Sequence, residues 1–395
     1  ASSGGTHTGV ANFGQDSTFS GARSAGGNQD DNGIGDFAYP VPSGGYLALC
    51  TANLPTPSIV DGSEHFNTVL YTGNGSTQSV NVGWQPDLIW GKARNAAFSH
   101  ALHDAVRGFG NRLVSNDTGA ESFRTDAFQA TAVDSTGFNL GSQGDLNYSG
   151  NTMAAWNWKA GGTAVSNTDG SVTSQVSANV DAGFSIVGYT GTGSAGATIG
   201  HGLGVTPDLL IMRRRDPAEA WPVWVGGAGF SNTQYLRLNG TNAVDTATSL
   251  FNSTTPTSSV VTLGNGNFVN TSANNYIMYA FASVEGYSKA GTYTGNGSTN
   301  GTFVYTGFRP AFVLTKESSS TSGWNLRDSV RSPENIVNEV LQADTSSAEM
   351  TSGYDVDFLS NGFKLRTSLS DSNTSGQTYI YLAFAENPFK YANAR

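Results

Sequence analysis

Phe184-Ser-Ile-Val-Gly-Tyr-Thr-Gly-Thr-Gly193 has two close counterparts in the same 395-residue chain. They are Phe66-Asn-Thr-Val-Leu-Tyr-Thr-Gly-Asn-Gly75 and Tyr287-Ser-Lys-Ala-Gly-Thr-Tyr-Thr-Gly-Asn-Gly297. In each, a β-prone stretch runs into Tyr-Thr-Gly-x-Gly, the pattern of a strand that ends in a tight turn. The key tyrosines, Tyr71, Tyr189 and Tyr293, stand 118 and 104 residues apart (189−71 and 293−189). Recurrence at a near-constant interval is the mark of a repeat architecture.

Two further signatures follow each copy in the same order. The first is a proline leading an apolar run: Gly83-Trp-Gln-Pro86-Asp-Leu-Ile-Trp90, Gly204-Val-Thr-Pro207-Asp-Leu-Leu-Ile-Met212 and Gly307-Phe-Arg-Pro310-Ala-Phe-Val-Leu314. Proline is tolerated where a strand begins, and the run after it reads as a strand covered on both faces. The second closes each copy: Met153-Ala-Ala-Trp156-Asn-Trp158, Tyr276-Ile-Met-Tyr279-Ala-Phe281 and Tyr379-Ile-Tyr-Leu382-Ala-Phe384. Aligning Trp158, Phe281 and Phe384 gives spacings of 123 and 103, close to those of the tyrosines. Asn-Gly pairs at 74–75, 239–240, 265–266, 296–297 and 361–362 mark hairpin turns. The expected fold is all-β, built of tandem β-sandwich or jelly-roll-like modules. The expected boundaries are 57–165, 166–285 and 286–395, after a non-repeating segment at 1–56. One helix is expected, over 333–341, with Ser332 as N-cap.

Composition agrees with a folded, strand-rich chain. Charged residues are only 13%, Gly numbers 50, and 21 Phe, 15 Tyr and 7 Trp supply core material. Disordered chains combine low hydrophobicity with high charge and few aromatics. The net charge of −10 comes with no spread basic stripe, since Arg213-Arg214-Arg215 is followed at once by Asp216. Nucleic-acid binding is therefore not expected. No apolar run approaches the roughly 18 residues of a membrane helix, so membrane insertion is not expected either. The single cysteine, Cys50, reads as a small buried core residue, and stability falls to packing and assembly. The opening Ala1-Ser-Ser-Gly-Gly has neither an initiator Met nor a signal pattern, as expected of a chain that begins inside a longer polypeptide.

Two resemblances carry expectations of function. Asn12-Phe13-Gly14-Gln15, a strand in that pattern, Phe37-Ala-Tyr39-Pro-Val-Pro42-Ser-Gly44 and the exit Leu49-Cys-Thr-Ala-Asn-Leu-Pro55 resemble the end of a SPRY-like, concanavalin-like β-sandwich of phage structural proteins. This chain departs from that pattern by inserting 16–36 between the first two elements, and the earlier strands of such a domain are missing. Residues 66–395 resemble an uncharacterised tail-fibre repeat family of tailed bacteriophages. The matching stretches are Leu102-His-Asp104-Ala-Val-Arg107-Gly108, Ser166-Asn-Thr-Asp-Gly170-Ser, Gly200-His-Gly-Leu-Gly204, Gly307-Phe-Arg-Pro310 and the terminal Tyr379-Ile-Tyr-Leu-Ala-Phe-Ala-Glu-Asn-Pro388-Phe-Lys-Tyr-Ala-Asn-Ala-Arg395. The resemblance implies a virion structural protein, a tail fibre or surface appendage of the extracellular phage particle, made in the host cytoplasm. It implies assembly with other copies of itself, as a trimer in many fibres, with other virion proteins, and contact with host surface glycans. It implies no enzyme activity, no catalytic residues and no cofactor. A capsid-decoration or head-fibre protein and a glycan-degrading tailspike stay open as alternatives.

The residues themselves offer few sites for chemistry. Asp104-Ala-Val-Arg107 recurs as Asp328-Ser-Val-Arg331, whereas the second repeat has Val225-Gly-Gly. An Asp–Arg ion pair that pins a loop is the simplest reading. Trp156 and Trp158 share a strand face and should pack. Trp221, Trp224 and Trp324 lie in loop-like contexts and are the candidate glycan contacts. The five histidines lack metal-ligand spacing. His201 is expected to serve the geometry of its glycine-rich turn. Residues 30–36, Asp-Asp-Asn-Gly-Ile-Gly-Asp, hold enough oxygens for calcium but lack the EF-hand alternation, so a solvated loop is expected.

Overall fold

The computed structural model describes residues 11–53, 58–142 and 145–386, of which the side chain of Thr51 is not described. The chain divides into two compact units, 58–388 and a smaller one formed by 1–57 with 389–395. The larger unit is all-β and antiparallel throughout its named sheets.

Each repeat builds the same four-stranded core. The first strands, which carry the key tyrosines, are Phe66–Thr72, Phe184–Thr190 and Ser288–Thr294. The second, proline-led strands are Leu88–Ala93, Leu209–Arg214 and Pro310–Glu317. The third are Ala101–Asp104, Pro222–Val225 and Trp324–Asp328. The closing strands are Thr152–Trp158, Asn275–Phe281 and Thr378–Ala385. In all three sheets the closing strand lies between the first and the second, and the third is hydrogen-bonded to the second. The register repeats as well: Leu88, Leu209 and Phe312 face Trp158, Phe281 and Phe384 on one side, and Asp104, Val225 and Asp328 on the other. Repeat 2 extends its sheet to eight strands, with Ser174–Asn179 and then Val165–Asn167 added beside the first strand, and Gln234–Arg237 and then Asp245–Thr246 beyond the third.

The glycines of the Tyr-Thr-Gly-x-Gly signature are set by the turn. Gly75, Gly193 and Gly297 have φ of 67°, 77° and 70°, the left-handed region where a Cβ is strained. A Cβ on Gly73, Gly191 or Gly295 would meet a main-chain oxygen at 2.3, 2.4 or 2.3 Å. The tyrosine hydroxyls donate to the carbonyls of Leu146, Val269 and Ser372 at 2.9, 2.8 and 2.8 Å. The next residues, Asn147, Asn270 and Asn373, are buried, and their side chains fasten the turn. Each accepts from a turn N–H (Asn74, Thr192, Asn296) and donates to two carbonyls, one of them Gly141, Gly264 or Thr367.

Each repeat also carries a small outer sheet. In repeat 1 it is Gln78–Asn81, Gly137–Leu140 and Phe128–Asp134. In repeat 2 it is Thr198–Gly200 with Val260–Thr262, and in repeat 3 Phe303–Tyr305, Gly362–Leu365 and Val356–Leu359. One face of each large sheet packs on this outer layer, as Met153 and Ala155 do with Val80, Phe138 and Leu140. The opposite faces of all three large sheets meet in a single core. At its centre Trp158, Phe281 and Phe384 form a closed triangle, with ring centroids 6.3, 5.9 and 6.0 Å apart. Alternation along each strand thus feeds the outer layer on one face and the shared core on the other, as separate cores in repeats 1 and 2 and as one continuous core in repeat 3.

Three expectations fail in detail. Residues 333–341 form no helix, because Val337 and Val340 are fully buried and bridge to Val356 and Met350 in extended conformation. Cross-strand burial of two valines outweighs a short helix with few internal bonds. Cys50 is exposed; within 46–50 only Ala48 turns inward, leaving Tyr46, Leu47 and Leu49 at the surface. The segment from Asn12 to Gln15 is not a strand. The Asn12 side chain accepts from Gly14 N–H at 2.7 Å and donates to the carbonyls of Asp16 and Asp36, which bends the chain through Gly14 at φ 98°.

Candidate functional site

The paired Asp–Arg motifs sit where one repeat docks on the next. Asp104 Oδ2 accepts from Arg107 Nε at 2.6 Å, and Asp104 Oδ1 accepts from the Val106 and Arg107 main-chain N–H groups. Asp328 and Arg331 repeat every one of these contacts, again with 2.6 Å between carboxylate and Nε. All four side chains are fully buried. The remaining carboxylate capacity crosses to a neighbouring repeat. Asp104 accepts from the Tyr279 hydroxyl at 2.8 Å, and Asp328 from the Trp156 indole N–H at 3.0 Å. Tyr279 and Trp156 occupy the same position in their closing strands, each two residues before the aromatic triangle.

A second carboxylate completes each network. Glu121 binds Arg107 at 2.9 Å within its repeat and Arg215 of repeat 2 at 2.7 Å. Glu349 binds Arg331 at 3.0 Å within its repeat and Arg94 of repeat 1 at 2.7 Å. The main chains clasp beside them, Glu121 N–H to the Arg215 carbonyl and Glu349 N–H to the Arg94 carbonyl. Burial works against the Glu121 carboxylate, but the Arg215 and Arg107 guanidiniums outweigh it and hold its pKa below the ordinary range. Burial likewise opposes the Arg107 charge, and Asp104 leads the groups that push its pKa above the usual arginine value. With every charge paired and hydrogen-bonded, desolvation is offset.

The third seam, from repeat 2 to repeat 3, has the same main-chain clasp and none of the charges. There Val244 N–H donates to the Ser318 carbonyl, which places Val244 at the position of the glutamates and Ser318 at that of Arg94 and Arg215. Val225 stands at the aspartate position, and Leu382 at that of Tyr279 and Trp156. The chain passes the arginine position through the tight turn Gly226–Ala228. The replacement is physically coherent. Leu382 has no N–H or O–H to donate, so a buried aspartate opposite it would lack a partner. Absence of the motif from repeat 2 therefore follows from what it touches in repeat 3.

Trp221 and Trp324 are seam elements too, and the burial of all three loop tryptophans corrects their reading as glycan contacts. Trp221, Trp224 and Trp324 are buried, at 0%, 3% and 0% exposure, so none presents a ring face to a ligand. Trp221 Nε1–H donates to the Val114 carbonyl of repeat 1, and Trp324 Nε1–H to the Arg237 carbonyl of repeat 2, both at 2.9 Å. In the remaining seam His100 takes this role, its Nε2 lying 2.9 Å from the Gln342 carbonyl of repeat 3. Trp224 packs inside repeat 2 and donates to the Ser231 carbonyl. Trp156 and Trp158 pack in the shared core, as expected.

Three buried cations occupy matching places on the second strands, two of them reaching across seams. Arg213 donates to the Thr118 carbonyl of repeat 1 at 2.6 Å, and Lys316 to the Thr241 carbonyl of repeat 2 at 3.2 Å. Lys92 donates to Ala93 and Ala96 of its own repeat. Burial lowers the Lys92 and Lys316 pKa values to about 8. Carbonyl oxygens stand in for water around the two ammonium groups and the Arg213 Nη2 atom. The small void in the shared core, about 10 Å³, is lined by apolar side chains such as Leu88, Ile211 and Leu314. It is at the lower limit for one water.

Other candidates resolve as local structure. His201 accepts from Leu203 N–H and lies 3.2 Å from the Thr257 carbonyl, closing its glycine-rich turn. His100 and His103 are buried, in separate contacts. Asp30 accepts from Asn32, Ile34 and Ala48 N–H groups and from the Asn53 amide, so its carboxylate organises the loop. Among the described residues no three acidic, histidine or cysteine side chains form a metal-binding group. No helix among them is long and apolar enough to cross a membrane. The smaller unit does have an open apolar groove of about 370 Å³, lined by Phe13, Phe37, Tyr39, Tyr46 and Leu49 among others.

No curated protein and no solved structure matches the chain. The sequence signature of the domain of unknown function DUF7483 spans residues 61–388, a stretch that takes in all three repeats and all three seams, and the chain belongs to that family.

Proposed function

We propose that this chain is a structural protein of a tailed-bacteriophage virion, a tail fibre or surface appendage that presents its repeats outward. The observation that carries the reading is the use made of buried charge. The two Asp–Arg–Glu–Arg networks join one repeat to the next, and the three seams run 1 to 2, 2 to 3 and 3 to 1. Head-to-tail contacts that return to their starting point close a ring. Here a ring of three is completed within one polypeptide, which suits a rigid extracellular part with no disulfide to brace it. The proposed role is mechanical and not enzymatic. The reading is supported also by the motifs that resemble phage fibre repeats. Assembly with further copies of itself and with other virion proteins belongs to the same proposal. The exposed apolar groove beside Phe13, Tyr39 and Leu49 is the kind of surface that assembly buries.

Immunogold labelling of intact particles with antibody to the purified chain tests this directly. Label on the tail or on a surface projection is expected. Label confined to the capsid shell would favour a decoration or head-fibre protein, and no label would sink the virion assignment. Incubation with host polysaccharide is expected to release no sugar. Release abolished by one Asp or Glu substitution would make the chain a glycan-degrading tailspike.

A further inference from the structure

The outer sheet of repeat 3 differs from its counterparts on its solvent face. Strand Phe303–Tyr305 is at the edge of that sheet, with Val304 buried and its two neighbours turned outward. Phe303 is 42% exposed and Tyr305 60%, so two aromatic rings two residues apart share one open face. In repeat 1 the register fixes the equivalents. Tyr305 pairs with Gly362 and Phe303 with Lys364, just as Asn81 pairs with Gly137 and Ser79 with Asn139. Repeat 1 thus has Ser79 and Asn81 where repeat 3 has Phe303 and Tyr305. The corresponding strand of repeat 2, Thr198–Gly200, carries no aromatic residue. The fold therefore does not require these rings.

The same face gathers positive charge in a chain whose net charge is −10. The Lys289 ammonium lies 5.3 Å from the Tyr305 ring centroid and donates to the Tyr305 carbonyl at 3.2 Å. Lys364 stands directly opposite Phe303 and makes no ion pair among the described residues. Asp357, the cross-strand partner of Lys364 on the side away from Phe303, is paired with Arg366 at 3.5 Å. Of the other lysines, Lys92 and Lys316 are buried. Gly362, facing Tyr305, adds no side chain over the ring.

We propose that Phe303, Tyr305, Lys289 and Lys364 form a binding platform for an acidic saccharide, a chain of carboxylated pyranose rings. The apolar C–H face of a pyranose stacks on an aromatic ring, and successive rings suit two aromatics on one strand face. The ammonium groups meet the carboxylates, and that charge complementarity selects an acidic chain over a neutral one. This inference deepens the host-surface role proposed above and rests on it for its biological setting, although binding itself is tested on the purified chain.

Affinity electrophoresis of the full chain through gels containing polygalacturonate, alginate or neutral dextran provides the test. Retardation by the two polyuronates and not by dextran is expected, with retardation weakening as salt rises. The double substitution Phe303→Ser with Tyr305→Asn installs the repeat 1 residues, which this sheet geometry accommodates. It should weaken binding by about tenfold or more, a change of roughly 1.4 kcal/mol, with the thermal midpoint unchanged. Lys364→Gln should weaken polyuronate binding and leave behaviour in dextran unaltered. Migration that is the same in all gels, equal retardation in dextran, or retardation untouched by the double substitution would each overturn the proposal. Self-association lost in the double variant, without saccharide binding, would assign the face to a second copy and also overturn it. Binding without virion labelling would sink the fibre reading alone, and labelling without binding would sink the platform alone.

Discussion

Trp156 of repeat 1 donates its indole N–H to the buried carboxylate of Asp328 in repeat 3, at 3.0 Å, while the Arg331 guanidinium carbon lies 5.3 Å from the centroid of the same indole. Tyr279 of repeat 2 meets Asp104 of repeat 1 in the equivalent way. The donor on the closing strand and the acceptor on the third strand belong to different repeats, so each pair reports the order in which repeats are joined. A polar seam cannot be exchanged for the apolar one without stranding a buried carboxylate against Leu382 or a buried O–H or N–H donor against Val225. The networks therefore discriminate among seams that share one main-chain geometry.

Removing half of such a pair should cost more than removing all of it. Asp328→Val leaves the Arg331 charge buried without its closest counter-ion and should destabilise the fold by about 3–5 kcal/mol. Adding Arg331→Met, close in volume and uncharged, should recover part of that loss. Urea denaturation of the two variants decides it. A double variant less stable than Asp328→Val alone would show that the pair is not coupled as its geometry implies.

The asparagine clamp predicts a second sensitive point with no charge involved. Asn373 accepts from Asn296 N–H at 2.9 Å and donates to the Thr367 and Ser298 carbonyls, each at 2.8 Å. Asn373→Ala strands these buried groups and should cost about 2–4 kcal/mol. Asn373→Asp should cost at least as much, since a carboxylate cannot donate to either carbonyl. Equal stability of Asn373→Asp and the natural chain would refute the clamp.

The repeat itself was legible because its anchors are apolar and periodic: Trp158, Phe281 and Phe384, aligned on spacing alone, meet ring against ring. The turn glycines were legible for the same reason, as few other residues fit their backbone. The clamp asparagines were not, since a buried Asn in a polar neighbourhood looks like any loop residue until its partners are placed. Trp221 and Trp324 look like loop residues in the sequence because Pro222 and Gly323 stand beside them. Their burial comes from the neighbouring repeat, and a contact between repeats leaves no periodic trace in either one. The seam networks were half visible. Asp104–Arg107 and Asp328–Arg331 stood out as pairs, but Glu121, Glu349 and the reciprocal Leu382 required the docking geometry.

Acid should weaken the seams through histidine. Trp90 Nε1–H can only donate and the Gln342 carbonyl can only accept, so His100 is neutral, with its proton on Nε2. Burial first, then the Lys92 charge, lowers the His100 pKa to about 3; burial and Arg107 lower that of His103 equally far. The unfolded chain, with histidine near 6.5, binds more protons between these limits. Stability is therefore full above pH about 6.5 and falls toward pH 3, by about 2 kcal/mol per histidine at pH 5. His100→Gln keeps a donor and an acceptor without titrating, so its unfolding free energy should fall less between pH 7 and pH 5 than that of the natural chain. Parallel pH profiles would remove His100 as a cause.

Trp324 supplies the test that separates seam from surface. Its indole N–H reaches the Arg237 carbonyl of the preceding repeat, and its ring is wholly enclosed. Trp324→Phe retains most of the apolar volume but leaves that carbonyl without its donor, at a cost of about 1–3 kcal/mol. Thermal or urea unfolding should show the loss, whereas polyuronate retardation in gels should be the same as for the natural chain. The pair of readouts matters because a ligand-facing tryptophan gives the opposite result. Truncating an exposed ring leaves stability within about 0.5 kcal/mol and abolishes binding. A Trp324→Phe chain of undiminished stability and lost saccharide affinity would return this residue to the surface role that its burial now denies it.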